Sequence, residues 1–139
     1  MMRLKPLTVP GKLESLSAIT QFVIKAAQLA CLNEKTTYKL RLAVDEIATN
    51  IIQYGYAEAD LTGEITCCAE FDDNYLTIVL EDWGLAYNPL KHTQPISLQQ
   101  PLTARTVGGL GIYLALKSVD DLRYERVDKR NRHIFRVKR

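Results

Sequence analysis

Three short runs in this 139-residue chain combine residue types that could act on a phosphate compound. The first is Asp45-Glu46-Ile47-Ala48-Thr49-Asn50. Positions 46 and 50 are one helical turn apart, about 40° around the axis, so both side chains project from one side. A carboxylate placed there can accept a proton from water or a hydroxyl, and a carboxamide can give Mg²⁺ a neutral oxygen. Asp45 competes with Glu46, but its partner one turn on is Thr49, a poorer metal ligand. The same spacing also suits two residues that simply face solvent on an amphipathic helix.

The second run, Glu81 to Pro89, holds Asp82 and Gly84. An Asp at a strand end can accept from an exocyclic amine such as that of adenine, and a Gly two residues on lets the backbone approach the ring closely. An ordinary Asp-Gly turn after a strand reads the same way. The third run is Val107-Gly108-Gly109-Leu110-Gly111-Ile112. Glycines just before a helix leave backbone N–H groups free to cradle phosphate at the positive end of the helix dipole. Hinges and tight packing also use glycine. The run lacks the Lys-Ser/Thr of a P-loop, and no strand precedes it closely enough for a Rossmann turn.

The elements that must position these runs follow from periodicity. Arg3 to Val9 suits a short edge strand, closed by Pro10-Gly11. Apolar residues recur at helical spacing from Leu13 to Ala30, predicting a helix that stops near Leu32. Asn33 is a plausible N-cap for a second helix, striped by Leu40, Val44, Ile47 and Ile51 and terminated at Gly55. The period then shortens. Gly63 to Phe71 and Tyr75 to Glu81, joined by Asp72-Asp73-Asn74, predict a hairpin. Lys91 to Val107 has no period and reads as a long loop, of the kind that forms functional lids. A short helix over Leu110 to Ser118 and strands near Leu122 to Val127 and Arg132 to Val137 end the chain. Helices and strands segregate, so the expected class is α+β: a two-layer α/β sandwich, helices on one face of a mixed, mostly antiparallel sheet.

Composition sets the limits. Hydrophobic residues make up 47% and charged residues 24%, as in ordinary globular domains. The length suits one domain, 1–139. No apolar stretch approaches the ~20 residues of a bilayer span, and Met1 to Pro10 carries no apolar signal core, so a cytoplasmic protein without a membrane partner is expected. Cys31, Cys67 and Cys68 form no ligand spacing, and His92 and His133 are isolated, which favours buried free thiols over a zinc site. Net charge is +2. The basic end, Leu122 to Arg139, can attract nucleic acid, anionic lipid or an acidic protein face, and equally suits a charged, solvated edge strand. It has no aromatic platform or recognition helix for direct nucleic-acid binding.

Taken in order, the three runs resemble the GHKL ATPases: an N-box Glu46-x-x-x-Asn50, a first glycine box Asp82-x-Gly84 and a second glycine box Gly108-Gly109-Leu110-Gly111. The closest resemblance is to the small anti-sigma-factor serine kinases of bacteria. They have a similar length, a helix ahead of the N-box, the Asp82 to Pro89 pattern and an ending like Val119 to Tyr124. That resemblance implies the Bergerat, histidine-kinase-like fold with ATP and Mg²⁺. It implies Glu46 as general base, Asn50 as Mg²⁺ ligand and Asp82 as adenine anchor, assisted by the backbone at Gly84. Ala86 stands at the pocket where many members have a second Gly, and Gln53-Tyr54 replaces the usual basic or histidine pair. Gly108, Gly109, Leu110 and Gly111 would cradle phosphate under a lid over about 91–108. Arg105 could add a charge to the γ-phosphate, or be an exposed lid arginine. The implied function is an anti-sigma factor that phosphorylates a serine of an anti-sigma-factor antagonist (a STAS domain), with a sigma factor as further partner and a possible homodimer. The alternative is a non-catalytic, nucleotide-dependent binding switch. A sensor histidine kinase would need a dimerisation helix bearing its acceptor histidine, and neither His92 nor His133 sits in one.

Overall fold

A computed structural model describes residues 1–92 and 109–139. Arg105, Gly108 and nearly all of the expected lid therefore lie outside the described residues. The elements are β1 (Met2–Arg3), β2 (Leu7–Pro10), α1 (Leu16–Leu29), α2 (Glu34–Asn50), β3 (Glu64–Phe71), β4 (Tyr75–Asp82), α3 (Gly109–Ser118), β5 (Asp121–Val127) and β6 (Arg130–Lys138). The expected N-terminal edge strand is two short strands, both antiparallel to β3, because Lys5-Pro6 interrupts the ladder. The sheet runs β1-β3-β4-β6-β5, with β2 also on β3, and every described pairing is antiparallel.

The helices form one layer over one sheet face. From α1 they bury Ile19, Val23, Ala26 and Ala27; from α2, Leu40, Ala43, Val44, Ile47 and Ala48. Each large aliphatic side chain buried here contributes about 1.5–3 kcal/mol relative to exposure. Asn33 caps α2 as expected, its side chain accepting from Thr36 N–H at 2.8 Å. The β3–β4 hairpin is also as expected, with Asp72 Oδ1 accepting from the N–H groups of Asn74 and Tyr75. Those two bonds hold the Asp72 carboxyl below its ordinary value.

The sheet face under the helices alternates strictly: Ile65, Cys67 and Ala69; Leu76, Ile78, Leu80 and Asp82; Asn131, His133, Phe135 and Val137 are the inward residues. It is apolar except at one end, where Asp82 pairs in register with Asn131 and Leu80 with His133. The opposite face carries charge: Glu81 pairs with Arg132 at 3.1 Å and Arg130 at 3.3 Å. Part of the basic end is thus a solvated ion-pair ladder on an open sheet face.

Two local expectations are corrected. Gly55 does not terminate α2; the chain continues as a π-helix over Ile51–Ala57. Cys31 is exposed, whereas Cys67 is buried. Burial first, and then the neighbouring Cys68, push the Cys67 thiol up to about 12, so it is inert.

Cys31 has φ 58° at the end of α1, where Leu32 N–H bonds Ala27 O and Cys31 N–H bonds Gln28 O. This is a Schellman motif with cysteine at the left-handed position that favours glycine. Cys31→Gly is expected to stabilise the fold by about 0.5–1 kcal/mol, because relief of the left-handed strain outweighs the added unfolded-state freedom. Urea unfolding checks this; an unchanged or lower midpoint contradicts it.

Candidate nucleotide site

The polar end of the inner sheet face is built around Asp82, which is 1% exposed. Its Oδ1 accepts from Gly84 N–H at 2.9 Å and from Asn131 Nδ2 at 3.0 Å. Its Oδ2 has no hydrogen-bond partner among the described residues. Leaving a buried carboxylate oxygen unpaired costs free energy, so such a group marks a place where a donor is missing.

The turn after Asp82 is clamped from three sides. Asn131 Nδ2 also donates to the carbonyls of Gly84 and Leu85, at 3.2 and 3.1 Å. Tyr56 accepts from Trp83 N–H at 2.9 Å and donates to Glu64 O at 2.7 Å. Leu85 N–H bonds Gly55 O at 2.9 Å. A Cβ on Gly84 would stand 2.6 Å from Gly55 O and 3.1 Å from Asp82 Oδ1. Gly84 is therefore needed for contact with the π-helix as well as for any approach of a base. Ala86 is exposed beyond this turn. Tyr87 stacks on Tyr54 with centroids 5.7 Å apart, and burial followed by the neighbouring Tyr54 pushes its phenol up.

The first run lies on the last turns of α2, just before the π-helix. Asn50 is 5% exposed, and its Nδ2 has no partner among the described residues. This rules out a pair of fully solvated side chains. Glu46 is half-buried. Asp45 is committed elsewhere: its Oδ1 accepts from Thr20 Oγ1 at 2.8 Å, and Arg41 lies 3.8 Å away. Burial pushes the Asp45 carboxyl up, and the Thr20 hydrogen bond and Arg41 charge oppose that. The Thr49 hydroxyl donates to Asp45 O. Of the two adjacent carboxylates, Asp45 thus straps α1 to α2.

Helix α3 packs against α2 and begins at Gly109. The amides of Gly109, Leu110 and Gly111 belong to its first turn, where N–H groups lack intrahelical acceptors. One helix, α2, together with its π extension, therefore touches all three runs: it bears Glu46 and Asn50, its Gly55 receives Gly84, and α3 rests on it.

That order and layout match the histidine kinase-like ATPase domain over residues 9–137. The chain belongs to the histidine kinase-like ATPase family. A serine-protein kinase RsbW of Bacillus thuringiensis (strain Al Hakam) is 28% identical over 117 residues, covering 82% of this chain and 72% of that protein. One from Bacillus licheniformis is 32% identical over 89 residues, covering 62% and 55% respectively. No described helix is long and apolar enough to cross a membrane.

Two buried polar residues beside Asp82 were missed by motif reading. Asn131 and His133 lie in β6, at the same strand parity as Phe135 and Val137. Extending that alternation backwards would have placed both under the helices, beside Asp82.

Proposed function

We propose that this domain is a protein serine kinase acting as an anti-sigma factor, with a serine of an anti-sigma-factor antagonist (STAS domain) as acceptor and a sigma factor as its other partner. Membership in an ATPase family and similarity to proteins named serine-protein kinase support the reading. The observation that carries it is the pairing of Glu46 and Asn50 on one side of α2, with Asp45 held away by Thr20 and Arg41.

The residues fit a magnesium nucleotide. The partnerless Oδ2 of Asp82 is an acceptor for the adenine amine, beside a turn fixed by Gly84. The buried carboxamide of Asn50 would offer its oxygen to Mg²⁺ and its nitrogen, partnerless among the described residues, to a phosphate oxygen. The first-turn amides of α3 at Gly109, Leu110 and Gly111 hold phosphate oxygens. Ala86, exposed beyond the turn, would border the base, and Gly108 and Arg105, the further residues expected at the phosphate, lie outside the described residues. When bound, ATP with Mg²⁺ supplies the transferable γ-phosphoryl group and neutralises the charge that develops. Glu46 accepts the proton of the attacking serine hydroxyl, orients that oxygen and returns the proton to solvent.

Incubation with γ-labelled ATP, Mg²⁺ and a STAS-domain protein is expected to label one serine, and Ser→Ala at that position should abolish the label. Tight ATP binding with no label on any partner serine would leave the nucleotide-dependent binding switch as the function.

A further inference from the structure

We propose that Arg126 and Tyr124 are positioning residues for nucleotide recognition: acting through Asn131, they fix the carboxylate of Asp82 and so set the preference for a purine bearing an exocyclic amine. The inference rests on the reading of Asp82 as the adenine anchor.

Arg126, Asn131 and Asp82 are register neighbours on three adjacent strands, β5, β6 and β4. Strand parity puts Tyr124 on the same side of β5 as Arg126. In this row lies the carboxamide of Asn131, a residue 1% exposed. Its Oδ1 accepts from Arg126 Nη1 at 2.9 Å and from the Tyr124 hydroxyl. Its Nδ2 serves three acceptors, Asp82 Oδ1 at 3.0 Å and the carbonyls of Gly84 and Leu85. A guanidinium only donates and a backbone carbonyl only accepts. This orientation of the amide is therefore the one that satisfies every neighbour.

The two ends of the carboxamide are coupled. Donors on its oxygen polarise the amide and strengthen the bonds its N–H groups give, the more so when a donor is charged. Arg126 is available for this task. On the opposite sheet face Arg130 and Arg132 are held by Glu81, and Arg132 also by Glu125. Arg126 enters no ion pair among the described residues; it reaches Asn131 and, at 3.5 Å, Gly84 O. With Gly84 N–H and Asn131 Nδ2 both on Oδ1, the Asp82 carboxylate cannot turn without breaking two bonds. Oδ2 is the oxygen left for the base amine. Without both donors, the oxygen of Asn131 becomes a buried acceptor with no partner, a state costly enough to draw the carboxamide off its other bonds. Asp82 then loses its fixed orientation.

The test compares ATP with purine riboside triphosphate, which carries hydrogen in place of the 6-amino group and is otherwise the same. Titration calorimetry at pH 8 with Mg²⁺ should show the wild type preferring ATP by roughly 10- to 100-fold, the worth of one hydrogen bond to a charged group. Arg126→Met and Tyr124→Phe should each cut that preference about threefold, and the double variant about tenfold, as a bond is first weakened and then lost. Affinity for purine riboside triphosphate should stay within about twofold, because it makes no bond to Oδ2. An unchanged preference in the double variant, with the preference lost in Asp82→Asn, overturns the proposal and leaves the anchor standing. Equal losses for both nucleotides have the same meaning, since a merely structural role weakens both alike. No preference in the wild type, or a full preference in Asp82→Asn, overturns both readings. Should the double variant not fold, Arg126→Met decides alone, because Arg126 is exposed: a wild-type preference in that variant overturns the proposal.

Discussion

Asp82→Asn is expected to weaken ATP and ADP binding roughly 30- to 150-fold, the equivalent of losing one hydrogen bond to a charged group at about 2–3 kcal/mol. On the proposed reading, the two oxygens of Asp82 have separate tasks. Oδ1 holds Gly84 N–H and Asn131 Nδ2, and an Asn side chain keeps those bonds when its carbonyl oxygen takes that position. Its amide nitrogen then replaces Oδ2, so a donor faces the donor amine of adenine. The turn should survive while recognition fails. Titration calorimetry at pH 8, paired with thermal unfolding, separates the two effects. Retained affinity would show that the base is read elsewhere, and a collapse of the unfolding transition would assign Asp82 to stability instead.

The separation of tasks also shows how far local sequence signals reach. Asn33 at the start of α2 and Asp72 in the β3–β4 hairpin act on backbone groups two or three residues away, so their roles are legible from neighbours alone. Gly55 is different. Its position after an apolar stripe looks like a helix end, yet the backbone stays helical because its carbonyl receives Leu85 N–H and packs on Gly84. A widened π turn is stabilised here by a contact thirty residues distant, which no local pattern records. Cys31 likewise sits where glycine is usual, and its side chain is left exposed by the tight end of α1.

The site shows the same division. Order and spacing of Glu46, Asn50, Asp82 and the glycine run were enough to suggest a phosphate compound, because each chemistry needs its residue type. The shell that fixes Asp82 was hidden, since Asn131, His133, Tyr56 and Tyr124 are brought to it by strand register and layer packing. A polar residue at an inward strand position is the signal that exposes such a shell. Asn131 and His133 interrupt an otherwise apolar face, and buried polar groups persist only where they are satisfied or used.

Glu46→Gln is expected to lower phosphate transfer to a partner serine by roughly 10²- to 10⁴-fold, the usual contribution of a general base. ATP affinity should stay within about twofold, since Gln preserves the size and hydrogen-bonding reach of Glu and Glu46 is not the proposed adenine or Mg²⁺ ligand. The prediction depends on Asp45 being unable to substitute. Asp45 accepts from Thr20 and sits beside Arg41, and turning toward the site would forfeit the strap between α1 and α2. Asp45→Asn serves as the contrasting variant: it should lower the unfolding midpoint or leave it nearly unchanged, but slow transfer by less than about tenfold, because its carboxyl takes no proton from substrate. Single-turnover transfer measured at saturating ATP distinguishes the pair. Equal losses in both variants would mean that the base is shared or lies elsewhere, and wild-type transfer by Glu46→Gln would remove Glu46 from the chemistry altogether.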